Sequence, residues 1–150
     1  MLGLFLLVVV VALAGLFIFV RYNLQVRGPE ADERLKTLEK EFSLIAPLSD
    51  ASRLRYESSH KVSLGGVGAD YRTDKTYAQI RGHYDNELKK NGWRFVGEEP
   101  VTIWWHDYGG KEVSYCKDHN TATLEYSGEW EEAGWTYSFN MSWGLSDGCK

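Results

Sequence analysis

Residues 2–20 read LGLFLLVVVVALAGLFIFV without one polar side chain, and the first charged residue is Arg21. At 1.5 Å rise per residue such a run makes a helix of about 28 Å, close to the roughly 30 Å of bilayer hydrocarbon. The pattern predicts a transmembrane anchor over residues 1–20, in contact with membrane lipid through residues 2–20. Without an ionisable group inside it, the segment fits a lipid-facing anchor better than a pore or sensor helix. Ala12-Leu13-Ala14 has the small-x-small form of a signal-peptide cleavage site. No basic segment precedes the apolar run, however, and cleavage would leave an apolar stretch, 16–20, as the new terminus. A retained anchor is expected.

The period then changes. Gly28-Pro29 followed by Glu30, Asp32 and Glu33 is a helix start, with proline in the first turn and acids near the positive end of the dipole. Leu35, Leu38, Phe42 and Ile45 then recur at helical spacing, and Pro47 ends the pattern. Residues 21–49 therefore read as a juxtamembrane linker and stalk helix. The stripe is too short for a stable coiled coil, so packing of this helix on its own domain is preferred to dimerisation.

Residues 50–150 form an α+β domain. Leu54, Tyr56 and Ser58, then Val62 and Leu64, then Val67, Ala69 and Tyr71 alternate with polar neighbours, which predicts a hairpin broken at Gly65-Gly66. Those glycines lack the Gly-Lys-Ser/Thr ending of a phosphate loop. Residues 73–92 predict a helix: Thr76 and Gln79 make a capping box, Tyr77, Ile80, Tyr84 and Leu88 share one face, and Gly92 closes the end. All six tryptophans follow, in a region that alternates as strands. Short strands are expected at 93–96, 101–105, 112–117 and 121–126. The purest alternation runs over 135–143, with Trp135, Tyr137, Phe139, Met141 and Trp143 on one face. The expected fold class is α+β: an N-terminal transmembrane helix and stalk helix, then a mainly antiparallel sheet in the order β-β-α-β-β-β-β. One helix covers one face, and the other face is solvated.

Tyr71, Thr73, Asp74, Tyr84, Leu88, Gly92 and Trp93 follow the pattern Tyr-x-Thr-Asp, helix, Tyr-x3-Leu-x3-Gly-Trp, then antiparallel sheet. In this the chain, over roughly residues 50–145, resembles small bacterial membrane-anchored α+β domains of uncharacterised function. The resemblance implies an envelope-facing accessory domain and carries over no catalytic residue.

Charge sharpens the picture in two places. The formal net charge is -4, which gives no basic face for nucleic acid. Residues 21–97 hold 14 basic and 11 acidic groups, whereas 98–150 hold 3 and 10, so the acidity lies in the β region. Orientation in the membrane meets two opposed arguments. Arg21, Arg27, Arg34, Lys36 and Lys40 follow the span, and the positive-inside rule taken alone puts the domain in the cytoplasm. Cys116 and Cys149, the only cysteines, either close a disulfide worth about 3 kcal/mol or remain two buried thiols. A disulfide belongs outside the cytosol, and the extracytoplasmic placement is the one expected.

Candidate chemistry is sparse. The four histidines are His60, His83, His106 and His119, and none lies in a zinc-binding frame. His106, Cys116 and His119 could make a thiol- or metal-dependent hydrolase only if two separate segments met. No cofactor or metal is expected. The more informative stretch is Trp104-Trp105-His106-Asp107-Tyr108-Gly109-Gly110. In a strand, adjacent Trp104 and Trp105 face opposite sides, so one lies outside the core. Trp104, Trp105, His106 and Tyr108 are the candidate ligand or partner surface. The expected function is a non-enzymatic, single-pass membrane accessory protein that binds an envelope protein or glycan. The alternative is the small hydrolase using His106, Cys116 and His119.

Overall fold

The computed structural model describes residues 2–22, 28–144 and 149, with side chains for all of these except 2–7 and 103. Element order is α1 (Leu2–Tyr22), α2 (Gly28–Leu44), β1 (Ser52–His60), β2 (Gly65–Arg72), α3 (Tyr77–Lys90), β3 (Arg94–Ile103), β4 (His106–Lys117), β5 (Asn120–Tyr126) and β6 (Tyr137–Trp143). A short 3-10 turn, Glu131–Ala133, precedes β6. Counted from the first helix the order is thus α-α-β-β-α-β-β-β-β. The six strands form one antiparallel sheet, β1-β2-β6-β5-β4-β3. Among the residues described with their side chains, which in α1 are 8–22, no helix is long and apolar enough to cross a membrane. The linker residues 23–27, Arg27 among them, lie outside the described residues.

Helix α3 forms where its caps and period require. Thr76 Oγ1 accepts the Gln79 N–H while Gln79 Oε1 accepts the Thr76 N–H, closing the capping box. At the other end Gly92 is left-handed, and the N–H groups of Gly92 and Trp93 donate to the carbonyls of Lys89 and Leu88. That Schellman turn brings Trp93 back onto Leu88, and both are buried. Ile80, Tyr84 and Leu88 then pack on the sheet.

The covering layer is two helices, not the single one expected. Ala31, Leu38 and Phe42 of α2 are buried, and the Phe42 ring stacks on Phe139 at 5.4 Å. A stripe spent on the domain's own core has no apolar surface left for a coiled coil, so α2 is not a free stalk. A six-stranded sheet is too wide for one helix of α3's length to cover. Val67, Ala69, Val113, Tyr115, Ala122, Leu124, Tyr137, Phe139 and Met141 complete the core. Each large side chain there contributes roughly 1.5–3 kcal/mol by burial.

Several boundaries differ from the sequence pattern, and β6 begins at Tyr137, which leaves Trp135 on the connection before it. The first hairpin turns at residues 61–64, where the Lys61 N–H donates to the Leu64 carbonyl, and Gly65 and Gly66 belong to β2. A Cβ on Gly65 would meet the Trp143 ring, so this glycine serves close packing and not the turn. Residues 93–96 and 101–105 are not two strands. β3 runs through both, with irregular pairing at Val96. β4 is likewise longer than the expected 112–117, because its alternation is masked by a bulge at Tyr108 and Gly109.

Candidate functional site

Beyond the register pair of Val101 with Gly110, the β3–β4 hairpin continues past the other strands as an arm. Tyr108 and Gly109 bulge out between that pair and the next, Thr102 with Asp107. Ile103 then pairs with His106, which leaves Trp104 and Trp105 as a two-residue tip. Both are left-handed, at φ 49° and 68°. Two left-handed central residues define a type I′ turn, which ordinarily takes Asn-Gly, because bulky side chains there cost on the order of 1–3 kcal/mol each. Both tryptophans lie in this turn and not in a strand, so the expected alternation across the sheet does not apply to them. Trp104 is 85% exposed and Trp105 96%. His106 Nδ1–H donates to the Trp104 carbonyl at 3.0 Å, and its ring stacks on Tyr108 at 6.0 Å. The four residues picked from the sequence, Trp104, Trp105, His106 and Tyr108, thus share one arm.

The root of the arm is fixed to the β5–β6 connection. The Glu129 N–H donates to the Tyr108 carbonyl, and the Gly109 N–H donates to Asp107 Oδ1 at 2.8 Å. Asp107, Tyr108, Gly109, Tyr126, Gly128 and Glu129 line an open depression of about 350 Å³. Half-buried Trp130 and Trp135 stand on the same connection, so four of the six tryptophans gather at this end of the sheet. The pattern placed Trp135 and Tyr126 on expected strands and marked none of Trp130, Trp135, Tyr126 or Glu129 as site residues. Their common end follows from β5 and β6 being neighbours, which no local signal encodes.

The start of α2 sits at the opposite end. Asp32 lies 2.8 Å from His60 Nε2 at the close of β1, and Arg34 lies over the Trp143 ring at 5.2 Å at the close of β6. Residues Gly65, Trp143, Asn120 and Lys117 are in register at that end. From Lys117 to His106 along β4 is on the order of 30–35 Å at about 3.3 Å per residue. The tryptophan tip is therefore remote from the start of α2.

The same distance dismantles the hydrolase set. Cys116 and His119 lie at the α2 end, and His106 lies on the arm. Cys116 and Cys149 are at disulfide distance, with Cα atoms 5.4 Å apart. A bridged Cys116 offers no thiol nucleophile. His119 occupies the exposed turn between Lys117 and Asn120. Among the described residues no group of three or more His, Cys, Asp or Glu side chains could hold a metal ion.

The solvated face of the sheet is polar, as expected from its alternation. One cross-strand row runs Glu99, Glu112, Glu125, Ser138, Asp70, Arg55. Arg55 pairs with Asp70 at 3.0 Å. Burial, then the nearby carboxylates of Glu112 and Asp70, hold the Glu125 carboxyl above the usual range. On the covered face Arg81 Nη1 donates to the Tyr115 hydroxyl, which donates to Asp85, both at 2.6 Å. Burial followed by the Asp85 bond raises the Tyr115 hydroxyl far above its ordinary value. Arg81 also lies over the Phe95 ring at 5.0 Å. These groups satisfy one another and fasten α3 to β4, which makes them structural. Tyr77, beside Glu98, is pushed up to about 12, mainly by burial.

Compared with known protein families, with curated proteins and with solved structures, the chain matches none. The arm is thus read from its own geometry alone.

Proposed function

We propose that this protein is a non-enzymatic, single-pass membrane-anchored accessory protein whose α+β domain lies outside the cytoplasm and binds an envelope protein through the Trp104-Trp105 arm. The observation that carries this reading is the pair of tryptophans itself: both fully displayed, both held in a costly backbone conformation. Strain of that kind persists where it presents a side chain for use. A convex tip suits insertion into a partner's pocket, as buried aromatic anchors do at protein interfaces, better than the concave platforms that hold sugars.

The anchor rests on the apolar run of residues 2–20. Residues 23–27 cannot reach beyond roughly 20 Å even fully extended, so the α2 end of the domain stays close to the bilayer and the tip faces away. The extracytoplasmic placement is supported by the Cys116 and Cys149 pair. Of the basic residues that argue the other way, Arg34, Lys36 and Lys40 belong to α2, a folded part of the domain. Folded domains translocate largely regardless of such charge. Nothing favours the hydrolase alternative, because its three residues are split between the two ends of the sheet.

A photo-crosslinking side chain placed at position 105 in the membrane-embedded chain tests the reading. A discrete protein adduct from position 105, absent from a control at Lys90, is expected. Adducts that are equal from both positions, or that are polysaccharide only, would overturn it.

A further inference from the structure

The sign of charge around the arm indicates what kind of protein surface it fits. Several carboxylates elsewhere in the domain are paired: Asp85 and Glu98 with Arg81, Asp70 with Arg55, Glu87 with Lys90, Asp50 with Lys75, Glu41 with Lys117. Asp107 at the root of the arm and Glu129, Glu131 and Glu132 on the connection behind it put four carboxylates at one end of the sheet. Among the described residues no basic side chain pairs with any of the four. Arg72, which lines a neighbouring depression with Glu129 and Glu131, donates to the Gly134 carbonyl. The depression at the root is lined by Asp107 and Glu129 together with Tyr108 and Tyr126. Acidic and aromatic residues lining one depression are a chemistry for an ammonium or guanidinium group. Trp104 and Trp105 extend the same chemistry outward, because an exposed indole face attracts a cation and Arg stacks on it as a plane.

We infer that the arm and its root bind a basic segment of a partner polypeptide, with arginine or lysine side chains over Trp104 and Trp105 and one cationic head in the depression between Asp107 and Glu129. The inference rests on the binding role given to the arm above and names the partner's chemistry. It assigns the tryptophans contact area and the carboxylates charge selection. Unpaired acids on the receiving side also speed encounter with a basic partner and make it salt-dependent.

The test uses the full chain in neutral detergent micelles and two synthetic peptides, one alternating arginine with glycine and one alternating glutamate with glycine. The arginine peptide is expected to bind and to perturb tryptophan fluorescence, and the glutamate peptide is not. Trp104→Ala with Trp105→Ala is expected to weaken arginine-peptide binding at least tenfold. Asp107→Asn with Glu129→Gln, which keeps the Gly109 hydrogen bond, is expected to weaken it several-fold and to flatten its salt dependence. Circular dichroism of each variant reports whether the fold is retained. Equal binding of both peptides overturns the inference, as does arginine-peptide binding that responds to the carboxylate changes but not to the tryptophan changes. If the arginine peptide fails to bind while position 105 still crosslinks to a protein, the arm is a docking site for an uncharged surface and only the cationic chemistry is wrong. Failure of both removes the arm as a binding site.

Discussion

The Glu129 N–H donates to the Tyr108 carbonyl at 2.7 Å, and that single backbone bond joins the root of the tryptophan arm to the connection behind it. It is possible because Gly128 is left-handed at φ 65°, and a Cβ there would lie 2.0 Å from the Tyr108 carbonyl oxygen. Gly128→Ala must therefore shift the connection off the arm. We expect a loss of at least about 2 kcal/mol in denaturant unfolding, with faster amide exchange at Glu129 than in the central strands.

The tip has the opposite relation to stability. Trp104 and Trp105 occupy positions that Asn-Gly fills without strain. Trp104→Asn with Trp105→Gly should raise stability by about 1–3 kcal/mol and abolish crosslinking and arginine-peptide binding together. A variant that gains stability and keeps binding would show that the indoles are not the contact.

Removing the covalent tie between β4 and the C-terminal segment should be costly. Cys149→Ser is expected to lose roughly 2–4 kcal/mol relative to the oxidised chain, and the wild-type chain should show no free thiol when denatured without reductant.

The Glu125 carboxyl is held above its ordinary value in the fold, by burial first and by Glu112 and Asp70 after it. Between its unfolded and folded values the native chain binds more protons than the unfolded one. This group's contribution to stability therefore falls as pH rises through that window. Glu125→Gln should remove this slope and stabilise the domain at neutral pH by about 0.2–1 kcal/mol, the scale of a like-charged cross-strand contact. Thermal unfolding at several pH values measures both effects.

Much of the domain was legible in the chain because its local signals agree with one another. The Thr76–Gln79 capping box, the Ile80, Tyr84, Leu88 face and the Gly92 turn all specify α3, and the structure forms each of them. The alternation of Tyr137, Phe139 and Met141 likewise gives the buried face of β6. What was not legible depends on partners distant in sequence. The glycines Gly65 and Gly66 resemble a turn, yet Gly65 is needed because Trp143 lies across it. The two tryptophans read as strand residues because type I′ turns rarely contain them, and only the pairing of Ile103 with His106 reveals the tip. His106 and Cys116 are close in sequence but lie toward opposite ends of one strand, so counting residues could not exclude their meeting across a loop.

Topology is the central claim, and one labelling measurement addresses it. Trp105→Cys in the full chain adds a single exposed thiol at the tip, with Cys116 and Cys149 bridged. In sealed right-side-out membrane vesicles, a membrane-impermeant maleimide should label residue 105 without detergent. Labelling that appears only after the vesicles are opened would place the domain on the cytoplasmic side and contradict the account.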